Sequence, residues 1–131
     1  MQNKRAIGFK NEDTLLPIIQ QYWKDSSIVK ITSKFAQFDY RGNNTLYELK
    51  TRLCNKDKYA TTIFPTKKFT FEPATKKVLI FSFDVGNYYI EYNESFDSFK
   101  KETKQFRKDR GSYDKPVEYI HIPVENLIKM V

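Results

Sequence analysis

A chain of 131 residues, 40% hydrophobic and 16% aromatic, has the length and composition of one globular domain spanning residues 1–131. One cysteine (Cys54) and one histidine (His121) exclude an internal disulfide or a Cys/His zinc cluster, and they weaken cysteine-protease and histidine-based phosphodiesterase readings. The net charge of +7, from 23 basic and 16 acidic side chains, favours polyanionic partners, nucleic acid ahead of an anionic membrane surface. The opening MQNKRAIGFKNED has no apolar core, and no apolar run approaches a membrane span. Neither a secretory leader nor a membrane partner is expected, and a reducing intracellular setting, cytoplasmic or nuclear, follows.

In NEDTLLPIIQQYWK the apolar residues Leu15, Leu16, Ile18, Ile19, Tyr22 and Trp23 recur at helical spacing. With Asp13 as N-cap, Pro17 falls in the first turn, and the pattern predicts a helix over about 14–24. Residues 28–40, IVKITSKFAQFDY, read as one long strand or two short ones ending at the turn signal RGNN. TLYELKTRL then alternates as a strand, with Leu46, Glu48, Lys50 and Arg52 on one face and Tyr47, Leu49, Thr51 and Leu53 on the other. Residues 55–77 give the weakest signal; Thr66 is a candidate cap for a short helix. KVLIFSFDVGNYYIEY reads as two strands around DVGN. SFDSFKKETKQFRKDRG predicts a helix capped by Ser95 and ended by Gly111, with Phe96, Phe99 and Phe106 near one face. VEYIHIP reads as a strand and VENLIKMV as a short terminal helix. Together these predict an α/β domain with a central mixed sheet flanked by helices.

Asp39 closes one predicted strand and Glu48 lies inside the next, so a hairpin brings two acids and Lys50 toward one sheet edge. Such a group suits metal-assisted phosphodiester hydrolysis. Mg²⁺ takes oxygen ligands, commonly one or two carboxylates, and leaves other positions to water and phosphate. Asp39, Glu48 and the Leu49 carbonyl can supply those oxygens, Lys50 can orient the attacking water, and Arg52 can contact the scissile phosphate. Glu-x-Lys alone carries little information, since it recurs at Glu102/Lys104 in a charged stretch. Its strand context sets Glu48/Lys50 apart, and two readings stay open: a catalytic pair, or an ion pair on an exposed sheet face.

FDYRGNNTLYELKTR resembles the core motif of the PD-(D/E)XK nuclease superfamily, an Asp at a strand end followed by (D/E)-x-K inside an apolar strand. The resemblance covers roughly residues 8–92. It implies a restriction-endonuclease-like fold, metal ligation by Asp39 and Glu48, a catalytic Lys50, and a further acid at the first helix, where Glu12 stands in the matching place. It also implies phosphate contacts from Lys67 and Lys68. Phe38 stands where the motif's name has proline, and the helix that usually follows the (D/E)-x-K strand has little support in residues 55–77.

The implied activity is Mg²⁺- or Mn²⁺-dependent hydrolysis of DNA by a structure-selective or weakly specific nuclease. Junction resolvases, repair and restriction endonucleases, and viral or phage recombination nucleases are relatives of that type. Cutting both strands calls for two active sites, and so for a homodimer. Two alternatives stand beside it: a non-catalytic nucleic-acid-binding protein of the same fold, and an endonuclease acting on RNA. Glu12 reads equally as first-turn charge complementing the helix dipole. The bases Lys100, Lys101, Lys104, Arg107 and Lys108 read equally as a solvated helix face or as contacts to a nucleic-acid backbone. His121, in an apolar strand, reads as a hydrogen-bonded structural histidine.

Overall fold

Pro17 does not sit in a first turn. In the computed structural model, which describes residues 4–33, 36–105 and 115–130, with side chains from residue 12 onward, one α-helix (α1) runs Lys4–Tyr22. Asp13 therefore caps nothing, and Glu12 lies well inside the helix rather than in a dipole-complementing first turn. Pro17 lacks the N–H that the Asp13 carbonyl would accept, a defect that costs about 3 kcal/mol in a helix interior. Burial of Leu15 and Ile19, one turn apart, offsets it. The helix ends in a Schellman closure: Asp25 N–H donates to the Gln20 carbonyl (2.9 Å) and Lys24 N–H to that of Gln21 (3.2 Å). Lys24 takes the left-handed conformation there (φ 51°). No glycine marks this stop.

The predicted strand over 28–40 resolves into two short pieces, β1 (Val29–Lys30) and β2 (Tyr40–Gly42). They run antiparallel, and β2 turns through Asn43 and Asn44 into β3 (Thr45–Thr51). Strand β4 (Thr61–Pro65) follows a 3₁₀ turn, Lys56–Lys58, and leads into another, Thr66–Thr70. The chain then returns as β5 (Lys76–Phe83), parallel to β3, and forms an antiparallel hairpin with β6 (Gly86–Glu91). β7 (Lys101–Lys104) and β8 (Val117–Pro123) come next, and β9 (Ile128–Lys129) closes the order. One six-stranded sheet has the order β1-β2-β3-β5-β6-β9, and a three-stranded sheet has the order β4-β8-β7.

The larger sheet is covered on both faces. Tyr47, Leu49, Val78 and Ile80 pack with Leu15 and Ile19 of α1. On the other face Leu79, Phe81 and Phe83 pack with Phe64, Ile120 and Ile122 of the smaller sheet. Strand β5 is accordingly buried along nearly its whole length, as expected of a central strand. The chain is thus mixed α/β and mostly sheet, and the expected flanking helices are replaced by one helix on one face and a small sheet on the other.

Three local expectations are corrected. The region after β3 forms β4, and Pro65 rather than Thr66 precedes the 3₁₀ turn, with no side-chain cap; Thr66 Oγ1 instead donates to Glu118 (2.8 Å). The helix predicted from Ser95 is a 3₁₀ turn, Glu94–Ser98, capped by Asn93, followed by β7. Phe96 and Phe99 suit that tight turn as well as a helix, because an i, i+3 pair eclipses in 3₁₀ geometry. The rest of that predicted helix, with Phe106, Arg107, Lys108 and Gly111, lies outside the described residues. The terminal VENLIKMV forms a 3₁₀ turn, Val124–Asn126, and then β9. Among the described residues, no helix is long and apolar enough to cross a membrane.

Candidate functional site

The β2–β3 hairpin carries the acids. Its register pairs Tyr40 with Tyr47, which places Asp39, one residue before β2, across from Glu48. The ladder breaks at this point. Asp39 N–H donates to the Tyr47 carbonyl (3.0 Å), its own carbonyl accepts from Ile31 N–H (2.8 Å), and its carboxylate Oδ2 accepts from Leu49 N–H (2.7 Å). Backbone bonds on three sides therefore fix the Asp39 side chain.

Helix α1 brings Glu12 to the same point. Tyr40 Oη donates to the Glu12 carbonyl (2.5 Å), which fastens the helix to β2, and the Glu12 carboxyl is hydrogen-bonded to that of Asp39. Two neighbouring carboxyl groups repel when both are ionised, which favours the protonated form of one. Burial, then the hydrogen bond and negative charge of Asp39, push the Glu12 pKa up to about 8, with Lys30 opposing. Its Oε2 is buried without a hydrogen-bond partner, and Lys30 Nζ stands 3.9 Å away. Lys30 is itself engaged by Asp13 (2.9 Å). Burial, then the charges of Asp39 and Glu12, also raise the Tyr40 hydroxyl, which keeps it a donor.

Glu48 and Lys50 share the β3 face that looks toward the smaller sheet. Glu48 is only 3% exposed, and its Oε2 is ion-paired with Lys68 from the turn after β4. Lys50 Nζ lies 5.9 Å from the centre of the Phe64 ring. Burial, aided by the Arg52 charge, holds this amine below the usual lysine value, while Asp39 pulls the other way. Lys68 is lowered likewise by burial and sits 5.8 Å from the Phe38 ring centre. Asp39 thus touches Glu12 and exerts its charge on Lys50 and Lys68. The five side chains form one polar group at the break in the hairpin.

Other expected contacts are placed differently. Arg52 is tethered to β4: Nε donates to Thr62 Oγ1 (3.1 Å) and Nη2 to the Ile63 carbonyl (2.8 Å). Lys67 is exposed, whereas its neighbour Lys68 is committed to Glu48. Lys100 and Lys101 are exposed at and beside β7, and Lys104 pairs with Glu102 (3.2 Å). They belong to an edge strand, where lysines discourage pairing with other chains, rather than to a helix face. His121 is bonded at both ring nitrogens, to Thr61 (3.1 Å) and Glu102 (3.3 Å).

Among the described residues, no three His, Cys, Asp or Glu side chains converge closely enough to hold a metal. The pair in contact is Glu12 and Asp39, an all-oxygen donor set with one buried oxygen unpartnered. Such a set fits a hard cation of the Mg²⁺ or Mn²⁺ kind, which needs only one or two protein carboxylates. Glu48 is the expected ligand that the structure commits elsewhere. The Lys68 contact has no local signal in the sequence, because its partner lies in another element.

No family model matches the chain, and no curated protein or solved structure matches it. What bears on its function is the arrangement of its own residues.

The Glu12–Asp39 contact has a measurable sign. A carboxyl raised from 4.5 to about 8 binds an extra proton in the fold. Its stabilising effect is full below 4.5 and is lost as pH climbs toward 8. Urea midpoints in EDTA are expected to fall between pH ~5 and ~8.5 for the wild type, and Glu12→Gln is expected to flatten that fall. Equal slopes for the two proteins would show that no proton is shared.

Proposed function

We propose that this chain is a Mg²⁺- or Mn²⁺-dependent nuclease of the PD-(D/E)XK type that hydrolyses phosphodiester bonds in DNA. The observation that carries the reading is the hairpin register that sets Asp39 across from Glu48, with Asp39 touching both Glu12 and the Leu49 amide and Lys50 on the Glu48 face. The strand order supports it. A helix is followed by three antiparallel strands, a crossover and a strand parallel to the third, which is compatible with the restriction-endonuclease-like arrangement that the motif implies.

Glu12 and Asp39 are the residues that would hold the ion. A bound divalent cation lowers the pKa of its water and offsets charge on the phosphate. Glu12 would have to lose its proton to solvent before its carboxylate could serve as a ligand. Lys50, whose Nζ lies 5.9 Å from the Phe64 ring centre, would donate a hydrogen bond to the attacking water and steady its orientation toward phosphorus. The net positive charge of +7 favours association with a polyanion. Double-strand cutting calls for a second copy of the site, and so for a homodimer.

One contact supports a second reading. Lys68 neutralises Glu48, as it would in a nucleic-acid-binding protein that keeps the architecture and cuts nothing. Incubation of the protein with linear DNA, branched DNA and matched RNA, with Mg²⁺ and in EDTA, separates these readings. Metal-dependent cleavage of DNA is expected, with a loss of about a hundredfold or more in Lys50→Ala. Intact DNA bound by a protein that takes up no Mg²⁺ in calorimetry would overturn the nuclease reading, and preference for the RNA strand would change its substrate.

A further inference from the structure

Between the end of β3 and the smaller sheet lies a cleft of about 680 Å³, within the size range of small-ligand sites. Arg52, Lys56, Lys104 and His121 line it, and none of its lining residues is a carboxylate. Its floor includes Phe83 and Val124, and Tyr59, 60% exposed, stands among its walls. Cations around an apolar floor with an accessible ring suit a phosphate attached to a flat base.

The bonds that hold Arg52 use Nε and Nη2, so its fork is fixed in place while Nη1 takes part in neither. The acids paired with these cations are not among the lining residues. Glu102 pairs with Lys104 (3.2 Å) and His121 (3.3 Å), and Asp57 with Lys56 (2.9 Å). The acid of each pair is open to solvent, Glu102 by 36% and Asp57 by 76%, so a phosphate can exchange with it at modest cost. Arg52 also follows Lys50 by two residues on one strand face, a distance of about 7 Å, close to the reach of one extended nucleotide.

We propose that this cleft seats one unstacked nucleotide of a single-stranded nucleic acid, with its phosphate at Arg52 and Lys104 and its base against Tyr59. The inference rests on the nuclease reading in that it places the nucleotide beside the bond that is cut. It narrows that reading to a substrate with at least one unpaired position, such as a single strand, flap or junction. A base inside a duplex cannot enter such a cleft without leaving its stack.

Fluorescence anisotropy with a dye-labelled oligothymidylate, in EDTA so that no cleavage intervenes, tests the cleft directly. The single strand is expected to bind more tightly than a duplex of the same length. Tyr59→Ala is expected to weaken it about tenfold, the loss of one stacking partner. Lys56→Gln/Lys104→Gln is expected to reduce the slope of log affinity against log salt by about 0.7, the share of the one phosphate in the cleft. The equally charge-reduced Lys24→Gln/Lys76→Gln, exposed residues that line none of this cleft, is expected to change it less. Matched melting temperatures show that the variants are folded, and oligouridylate and thymidine monophosphate as competitors separate RNA and free nucleotide from DNA. Wild-type binding by Tyr59→Ala, or equal effects of the two lysine pairs, would overturn the cleft assignment even if the protein cleaves DNA. Oligonucleotide binding that depends on Tyr59, without metal-dependent cleavage, would leave the cleft standing and remove the nuclease.

Discussion

Asp39→Ala is expected to lower kcat/KM for metal-dependent DNA cleavage by about a thousandfold or more, equivalent to about 4 kcal/mol of transition-state stabilisation. Asp39 is the one side chain joined to both neighbouring parts of the site, the Glu12 carboxyl and the Leu49 amide. Alanine removes a charge, a ligand and a hydrogen-bond acceptor together. The bare Leu49 N–H by itself costs about 1–3 kcal/mol of stability. Asp39→Asn separates these effects, because its amide oxygen still accepts from Leu49 while the negative charge is gone. The asparagine variant is expected to melt near the wild type, to bind Mg²⁺ weakly in calorimetry and to be as inactive as alanine. Cleavage by Asp39→Asn at the wild-type rate would move the hydrolytic centre elsewhere.

Lys68→Met is expected to destabilise the protein by about 3 kcal/mol or more in EDTA, since removing one partner of a buried ion pair strands the other charge. For a domain of this size that corresponds to a fall of roughly 10 °C in melting temperature. Glu48, the stranded partner, is almost fully enclosed, and Lys68 is the side chain ion-paired with it. If Glu48 joins Glu12 and Asp39 around a cation, Mg²⁺ supplies the missing positive charge, and the deficit is expected to shrink when it is added. Melting curves of both proteins with and without Mg²⁺ report this directly. A deficit that Mg²⁺ leaves unchanged would restrict Glu48 to a structural ion pair and leave any ion to Glu12 and Asp39.

The parts of this fold that are legible in the sequence are those written in short-range patterns. TLYELKTRL alternates cleanly, so β3 and its two faces are readable, and the turn at Asn43 and Asn44 sets the register that brings Asp39 opposite Glu48. KVLIFSFDVGNYYIEY is two runs of apolar and aromatic residues around a glycine turn, and it forms the β5–β6 hairpin. The misread parts depend on distant partners. The start of α1 is hidden because a proline is easiest to place in a first turn, whereas packing of Leu15 and Ile19 keeps it in the interior. SFDSFKKETK carries phenylalanines at a spacing that a 3₁₀ turn satisfies too, and pairing with β8 decides the rest. The crossover from β3 to β5 lacks an expected helix because β4 finds an antiparallel partner almost sixty residues later. Within the site, Lys68 reaches Glu48 only through that crossover, so nothing near either residue announces the contact.

Pro17 gives α1 a mechanical property as well as a break in its pattern. The rung it deletes is the one from the Asp13 carbonyl, and the carbonyl just before it, on Glu12, is shared with the Tyr40 hydroxyl. The turn bearing the acid is therefore less stiffly coupled to the segment anchored by Leu15 and Ile19 than an unbroken helix would make it. A tilt at that joint would alter the gap between the two carboxyl groups, because Asp39 is held by its own bonds within the sheet.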